Sequence, residues 1–500
     1  MGSYSIVEYF YEHGGHRCGY CNSPSSSFSC GMWAHTMTPD VYDKLLVRGW
    51  RRSGKYCYKP MMKKTCCLQY PIRLDVENFR LSNSQKKTLK KVHRFLETGE
   101  RPKSSGNAEA LGNDEGMGDT FFEGEQEAER NLHKKTDISF DISAGDDVTD
   151  DCNTRMAESS TQTVQQTQQL PAQSRINQSP SKLNKPKKGH GPDPNKPICK
   201  KAKELRKQRK LQKLMLKGES EASFPQKKLQ NNIPKSLEDY LNEPLSENPA
   251  HRLKVVTVRS SPPSPEFDAT FTESWKVYVS YQMLVHKDTK SECEKRRYHR
   301  FLVDSPLQHE ANAACGLGSF HQQYWLDNEL IAVGVIDILS TCVSSVYLYY
   351  NPDYSFLSLG TYSALREIAF TRQLSKTCPS IAFYCMGFYI HTCPKMKYKG
   401  NLSPSYLSCP ETYTWHPIEK CKLLLDKDKY ARFEDDETRG DDSRVTDIDE
   451  VLILHEHKVK TYRRYTMLTG GRDRDEVEEY ASLVGKECTE TILLYRSGST

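Results

Sequence analysis

SFHQQYWLD (319–327), ELIAVGVIDIL (329–339) and VSSVYLYYN (343–351) follow one another with almost nothing between them. Each is rich in β-branched and aromatic residues, and Asp327-Asn328 is a two-residue turn able to fold the first segment back on the second. The spacing predicts an antiparallel meander. Immediately beyond it, PDYSFLSLGTYSALREIAFTRQLS (352–375) places Leu365, Ile368 and Ala369 on one helical face, and IAFYCMGFYIH (381–391) returns as a strand. Upstream, LKVVTV (253–258) alternates like a strand, and TESWKVYVSYQMLVHKD (272–288) reads as a helix capped by Thr272. The result is an α+β domain. A last stretch, DRDEVEEYASLVGKECTETILLYR (473–496), reads as a helix and a closing segment packed on it.

Outward from this segment the chain divides by composition. Residues 1–97 are rich in Cys, Tyr and Trp, residues 98–234 in Gln, Ser, Asp, Lys and Pro, and residues 235–500 are again apolar and aromatic. The middle third cannot bury enough apolar surface to offset its ordering entropy and is expected to be a disordered insert. Within it an acidic stretch, GNDEGMGDTFFEGEQEAE (112–129), precedes a basic run at 185–219 suited to phosphates or to a nuclear address. Seventeen cysteines scattered over 500 residues do not form the dense framework of a small secreted domain, so reduced thiols are expected. No signal-peptide pattern or membrane-spanning apolar run is present, which leads us to expect a cytosolic or nuclear protein without a membrane partner. The formal charge of +6 is modest for this length, so any nucleic-acid affinity has to come from local patches. The sequence is silent on oligomeric state.

The first third contains C-x-x-C at Cys18 and Cys21 and an adjacent pair at Cys66 and Cys67. Four thiolates suit tetrahedral zinc or an iron–sulfur cluster. In an extended strand the adjacent pair would point to opposite faces, so both reach one metal only where the backbone turns. Buried inert thiols are the alternative, and His13, His16 and His35 lie near enough in sequence to substitute as ligands. Between the two cysteine pairs, Arg48, Arg51, Arg52, Lys55, Lys59, Lys63 and Lys64 interleave with Trp50, Tyr56 and Tyr58, a pattern suited to phosphate contacts and base stacking. SNSQKKTLKKVHRFLETG (82–99) then predicts a helix begun by Ser82 or Ser84 and ended near Gly99. Leu89, Val92 and Leu96 form its apolar stripe, with Lys86, Lys87, Lys90, Lys91 and Arg94 around the polar side. Arg48, Arg51, Arg52, Lys55, Lys87 and Lys91 are the candidate RNA contacts.

The order of strands, helix and returning strand resembles the centre of the GNAT-type acyltransferase fold. The chain also resembles eukaryotic arginyl-tRNA protein transferases through long motifs in one order. These are RCGYCNS (17–23), GMWAHTMT (31–38), RGWRRSGKYCYKP (48–60), TCCLQYPIR (65–73), 318–339, 342–370 and MGFYIHTCPKMKYKG (386–400). The middle third is similar only as a variable basic linker near KKAKELRKQRK (200–210) and PKSLEDYL (234–241). The resemblance implies a GNAT-like fold and transfer of arginine from arginyl-tRNA to proteins with an amino-terminal Asp, Glu or oxidised Cys, marking them for ubiquitin-dependent degradation in the Arg/N-degron route. It further implies that Cys18, Cys21, Cys66 and Cys67 bind zinc or an iron–sulfur cluster, with haem as another possibility.

The aminoacyl ester is already activated, so transfer needs a neutral amine, alignment and oxyanion stabilisation, without a covalent enzyme intermediate. SFLSLGTYSALRE (355–367) stands where an acetyl-CoA enzyme has its Gly-rich pyrophosphate cradle, so neither CoA nor a nucleotide cofactor is expected. The candidate site lies between SFHQQYW and YLYYNPDYS. There His321 would accept the ammonium proton, Gln323 or Tyr347 would hold the carbonyl, Asp353 would orient the amine or pair with the guanidinium, and Tyr349 would stack on it. Arg300, Lys395, Lys397 and Lys399 are candidates for the acidic acceptor. Two other classes fit parts of the sequence: a non-catalytic zinc-containing RNA-binding protein and a GNAT-type acetyltransferase.

Overall fold

The computed structural model describes residues 4–11, 14–101, 234–311 and 314–497. The acidic stretch 112–129, the basic run 185–219, His13 and all of the expected disordered insert 98–234 except residues 98–101 and 234 lie outside the described residues; residues 98 and 99 end a helix. What is described forms two mixed sheets with helices around them, an α+β architecture.

The meander is present as β7 (Gly318–Leu326), β8 (Glu329–Ile338) and β9 (Cys342–Tyr350), with β6 (Leu253–Ser261) antiparallel to β7 at the sheet edge. Asp327 and Asn328 both take positive φ, 53° and 136°, as a tight hairpin requires. β8 is buried along nearly its whole length because helices cover both faces. Across the meander His321, Val335 and Tyr347 are register partners on one face, and Gln322, Gly334 and Leu348 on the other. The first face lies under helix Pro265–Tyr281, the second under helix Leu359–Thr377. The cap of the first helix is Ser264 rather than Thr272, because Pro265 at its first position and Glu266 and Asp268 in its first turn favour the earlier start.

Helix Leu359–Thr377 crosses back to β10 (Phe383–Tyr389), which runs parallel to β9. Their pairing holds only from Cys342 to Ser344, opposite Phe383 to Cys385. Beyond it β10 shifts register against β5 (Tyr70–Asp75) at Gly387, where φ is 75°. On the other bank Val335 pairs with Tyr347 and Ile336 with Ser345, leaving Val346 as an extra, bulged residue in β9. The two strands therefore part toward their C-terminal ends. β11 (Ser405–Ser408) and β12 (Trp415–Pro417) complete this eight-stranded sheet beyond β5.

The second sheet has seven strands, ordered β14–β13–β15–β1–β2–β4–β3. It contains β1 (Ser5–Phe10), β2 (Ser29–Thr36), β3 (Arg51–Ser53), β4 (Tyr56–Pro60), β13 (Leu452–His455), β14 (Lys458–Thr461) and β15 (Ile492–Arg496). The first and last thirds of the chain are thus interleaved: β5 lies within the sheet of the last third, and β15 pairs in parallel with β1. Residues 1–97 and 235–500 share both sheets and belong to one compact unit instead of standing as two domains. The closing segment 473–496 accordingly packs against the N-terminal strands.

A fully buried ion pair fastens the two sheets. Arg52 Nε donates to Asp337 Oδ2 at 2.8 Å and its Nη2 to Oδ1 at 2.6 Å, with the Ser319 hydroxyl also donating to Oδ1 at 2.7 Å. Helix Asn83–Thr98 has the expected ends, a Ser82–Gln85 capping box and Gly99 in the left-handed conformation.

Candidate active site and cysteine cluster

The segment around Cys18 curls on itself: Cys18 N–H donates to the Ser23 carbonyl, and Asn22, with φ 59°, donates back to Cys18. The second pair follows a turn in which Lys64 and Thr65 both donate to the Met61 carbonyl, and Cys66 N–H is held by Ser26. This turn removes the obstacle an extended strand would pose, and the four sulfurs of Cys18, Cys21, Cys66 and Cys67 lie within 4.8 Å of one another. Sulfurs around tetrahedral zinc would be about 3.8 Å apart, given Zn–S bonds of roughly 2.3 Å, so the four thiols fit a metal ion. Neither His16 nor His35 joins them. The Ser23 backbone N–H beside its sulfur brings Cys21 down to about 7, whereas burial pushes Cys18 up. Cys18 and Cys67 pack with Phe388, Ile390, Cys393 and Met396, so the cluster braces the end of β10.

At the root of the β9–β10 opening, on the Leu359–Thr377 side, lies a carboxyl group that the sequence reading missed. Glu367 is fully buried, and its Oε2 accepts from the Tyr384 hydroxyl at 2.7 Å. Its Oε1 has no hydrogen-bond partner among the described residues. That oxygen lies 2.8 Å from where a Cβ on Gly334 would be, so a larger residue there would displace the carboxyl group. Burial drives the Glu367 pKa up to about 7, against the opposing Tyr384 hydroxyl. Ser345, next to the bulged Val346, borders the same root. The clue available in sequence was a glutamate on the buried stripe with Gly360, Ala364, Ile368 and Thr371.

On the other face the Tyr347 hydroxyl donates to Gln282 Oε1 at 3.2 Å, and the Phe301 ring meets it edge-on at 5.1 Å. Both neighbours come from π-helical turns, Gln282–His286 and His299–Val303, the latter also carrying Arg300. Such turns gather at functional sites more often than elsewhere.

The cleft expected between β7 and β9 is occupied by β8 and roofed by helix Pro265–Tyr281, so its residues sit in a packed interior. His321 is fully buried, with Nε2 at 2.9 Å from the Leu302 carbonyl and the Phe267 ring edge-on at 5.0 Å. Burial lowers its pKa to about 4. Gln323 donates to Thr270 and accepts from Trp325, and the Tyr349 hydroxyl is 2.7 Å from Ser274 Oγ and 2.8 Å from that of Tyr298. Asp353 is exposed in the 3-10 turn Pro352–Leu357, just past the end of β9. Lys395 and Lys397 are exposed on the short helix Pro394–Lys397, just past β10, while Lys399 is buried.

Most of the interleaved basic and aromatic segment is interior: Arg48, Arg51, Arg52 and Lys59 are buried, and only Lys63 and Lys64 at its end are exposed. Arg48 forms a bidentate pair with Asp441 and lies 4.1 Å over Tyr413. Arg51 donates to the Gly387 carbonyl and lies 4.6 Å over Phe388, and Arg52 is committed to Asp337. Lys55 is half-buried in the β3–β4 turn; Lys87 is exposed and Lys91 half-buried on helix Asn83–Thr98.

Residues 16–87, which span the cysteine cluster, match the family model described as "Arginine-tRNA-protein transferase, N terminus". Residues 273–409, which span the opening, match that described as "Arginine-tRNA-protein transferase, C terminus". "Arginyl-tRNA--protein transferase 1" of Drosophila melanogaster is 39% identical over 516 residues, covering 98% of this chain and 99% of the fly protein. The Arabidopsis thaliana protein of the same name is 33% identical over 485 residues, covering 84% of this chain and 74% of its own. A short match of 82 residues at 30% identity, 16% of this chain and 32% of the other, joins it to "Aspartate/glutamate leucyltransferase" of Campylobacter jejuni. Related across nearly its whole length to the fly protein, the chain belongs to the arginyl-tRNA–protein transferase family.

Proposed function

We propose that this chain transfers arginine from arginyl-tRNA to the α-amino group of proteins that begin with Asp, Glu or oxidised Cys, and that the reaction takes place in the opening between β9 and β10. The observation that carries the reading is the diverging strand pair with a bulge on one bank and a buried carboxyl group at its root. The acceptor nitrogen attacks the ester carbonyl carbon, the bond to the ribose oxygen breaks, and the proton lost by the amine is returned to that oxygen. Glu367 takes the ammonium proton, because a base near 7 is the best match to an α-amino group of about 7.7–8.0. The N–H of Val346, the bulged residue with no register partner in β8, is the donor we assign to the transient oxyanion. Asp353 beyond β9 serves the donor guanidinium, and Lys395 and Lys397 beyond β10 serve the acidic acceptor, so the two substrates enter from opposite banks. The bacterial relative, named for leucyl transfer to aspartate or glutamate, supports an acidic acceptor.

The meander, crossover helix and parallel return strand support a GNAT-like reading of the catalytic sheet. A group bound by Cys18, Cys21, Cys66 and Cys67, zinc or an iron–sulfur cluster with haem as a further possibility, would cross-link two loops and, if redox-active, add sensitivity to oxidation. Its cysteines hold β10 in place and take no part in acyl transfer. We further propose that the arginylated acceptors are marked for ubiquitin-dependent degradation and that the protein acts in cytosol and nucleus.

The test is transfer of radiolabelled arginine from charged tRNA to matched peptides beginning with Asp, Glu or Ala, with labelled acetyl-CoA in a parallel reaction. Labelling of the acidic peptides alone is expected. Acetylation without arginylation would sink the reading in favour of an acetyltransferase.

A further inference from the structure

Two cation-rich segments of the first third meet opposite fates. Arg48, Arg51 and Arg52 are bound up in the interior. Helix Asn83–Thr98 buries Leu89, Val92, Phe95 and Leu96 and turns its lysines outward. Lys87 and Lys90 are exposed, Lys86 is half-exposed, and among the described residues none of the three forms an ion pair. One turn further along, Lys91 donates to the Ser358 hydroxyl. Ser358 is the residue immediately before helix Leu359–Thr377, in the left-handed conformation at φ 56° and without a side-chain capping bond.

Topology fixes where this row of cations lies. Helix Leu359–Thr377 runs back from the end of β9 to reach the start of parallel β10, so Ser358 stands at the end of the sheet toward which the two strands diverge. Helix Asn83–Thr98, touching Ser358 through Lys91, therefore flanks the mouth of the opening. Its 16 residues span about 24 Å at roughly 1.5 Å per residue, long enough to follow several backbone phosphates. The Ser82–Gln85 capping box and Gly99 fix both ends, so the cations are presented on a rigid rod.

We infer that helix Asn83–Thr98 is the docking surface for the acceptor-stem phosphates of the donor tRNA, with Lys86, Lys87 and Lys90 as the main contacts and the 3′ end directed past Ser358 into the opening. The inference rests on the transfer reading given above. It assigns tRNA affinity to this helix and not to Arg48, Arg51 and Arg52, although both segments have the composition for it.

The experiment uses the full chain, its charge-reversed variant K86E/K87E/K90E, and the control K427E/K429E, which reverses two exposed lysines elsewhere. Binding of fluorescently labelled uncharged arginine tRNA is measured by anisotropy from about 50 to 200 mM salt, with thermal melts to verify folding. The reversed variant should bind at least about 30-fold more weakly, with a salt slope smaller by about 2 to 3, roughly one for each phosphate that is no longer neutralised. In the transfer assay its KM for arginyl-tRNA should rise by a similar factor, with kcat at saturating donor within about threefold, and the control should bind like the wild type. A wild type that transfers arginine and a reversed variant with unchanged affinity and slope overturn the docking surface while leaving the activity standing. A wild type that binds tRNA through this helix yet labels no peptide overturns the activity and leaves the docking surface standing. A reversed variant that keeps tRNA affinity and instead raises KM for the acidic peptide overturns the inference and assigns the helix to the acceptor.

Discussion

On one face of the β7–β10 sheet burial presses on His321, and on the other it presses on Glu367, with opposite chemical results. Desolvation disfavours whichever form is charged. It lowers the imidazole to about 4 and lifts the carboxyl group to about 7, moving one away from the α-amino group of an acceptor and the other toward it. Taking a proton from an ammonium near 8 is uphill by about 4 units for the histidine and about 1 for the glutamate, or about 5 against 1.4 kcal/mol. Each keeps one atom without a hydrogen-bond partner among the described residues, His321 Nδ1 and Glu367 Oε1, so the contrast is one of place: His321 lies under helix Pro265–Tyr281 and Glu367 at the root of the opening. Residue type alone would favour the histidine; placement favours the glutamate.

The largest effect should come from the reacting carboxyl group. Glu367→Gln keeps the volume and the acceptor for Tyr384, so the fold should survive while kcat falls by about 10²–10⁴-fold. The rise of wild-type kcat with an apparent pKa near 7 should vanish in this variant. Linkage gives a second readout. The folded pKa, about 7, lies above the reference 4.5, so the protonated form is the one that folding favours. The stability contribution is complete below about 4.5 and is lost as pH rises to about 7, amounting to about 3 kcal/mol, and the Gln variant should lack that loss. Chemical denaturation at pH 5 and pH 8 would reveal it; identical pH dependence in both proteins would return Glu367 to ordinary packing.

Next in size is the seal on the histidine face. Arg52→Met leaves Asp337 charged and buried, which should cost about 3–5 kcal/mol in denaturant unfolding and loosen the junction of the two sheets. The double variant with Asp337→Asn should recover much of that loss, since no unpaired charge remains. Smaller again is the effect of Cys66→Ser. Elemental analysis should find the bound metal lost or strongly reduced, with a Tm lowered by several degrees as β10 loses its brace. A variant that retains both metal and Tm would remove Cys66 from the ligand set.

Local patterns carried much of this architecture. The Asp327-Asn328 turn, the meander around it and the Ser82 and Gly99 helix ends follow from interactions between near neighbours or from a repeating period, and each cysteine pair is a local motif, although the two pairs meet across 45 residues. The interleaving of the two ordered thirds did not show, because nothing in TCCLQYPIR announces that β5 pairs with β10, or in TILLYR that β15 pairs with β1. Strand partners chosen across hundreds of residues leave no local trace. The basic and aromatic segment misled for a related reason. Arginine stacked on an aromatic ring in an interior, as Arg48 is on Tyr413, has the same composition as arginine and tyrosine waiting for RNA. Glu367 escaped because its role depends on the absent side chain of Gly334, two strands of sequence away.

The smallest effect, and the sharpest break for the comparison, belongs to His321. If His321 were the base, any neutral replacement would abolish transfer; the sequence favoured this, and His321→Ala would not decide it, because an emptied interior site also destabilises the fold. His321→Gln is the better probe, since its amide can still donate to the Leu302 carbonyl that now holds Nε2. Under the present assignment its kcat should stay within about threefold of wild type once activity is corrected for the folded fraction, with the pH profile still set near 7 by Glu367. A stable His321→Gln protein with intact tRNA affinity and a hundredfold lower kcat would reverse the roles of the two faces, because loss of a buried hydrogen bond alone changes stability and leaves the chemical step of the folded molecules untouched.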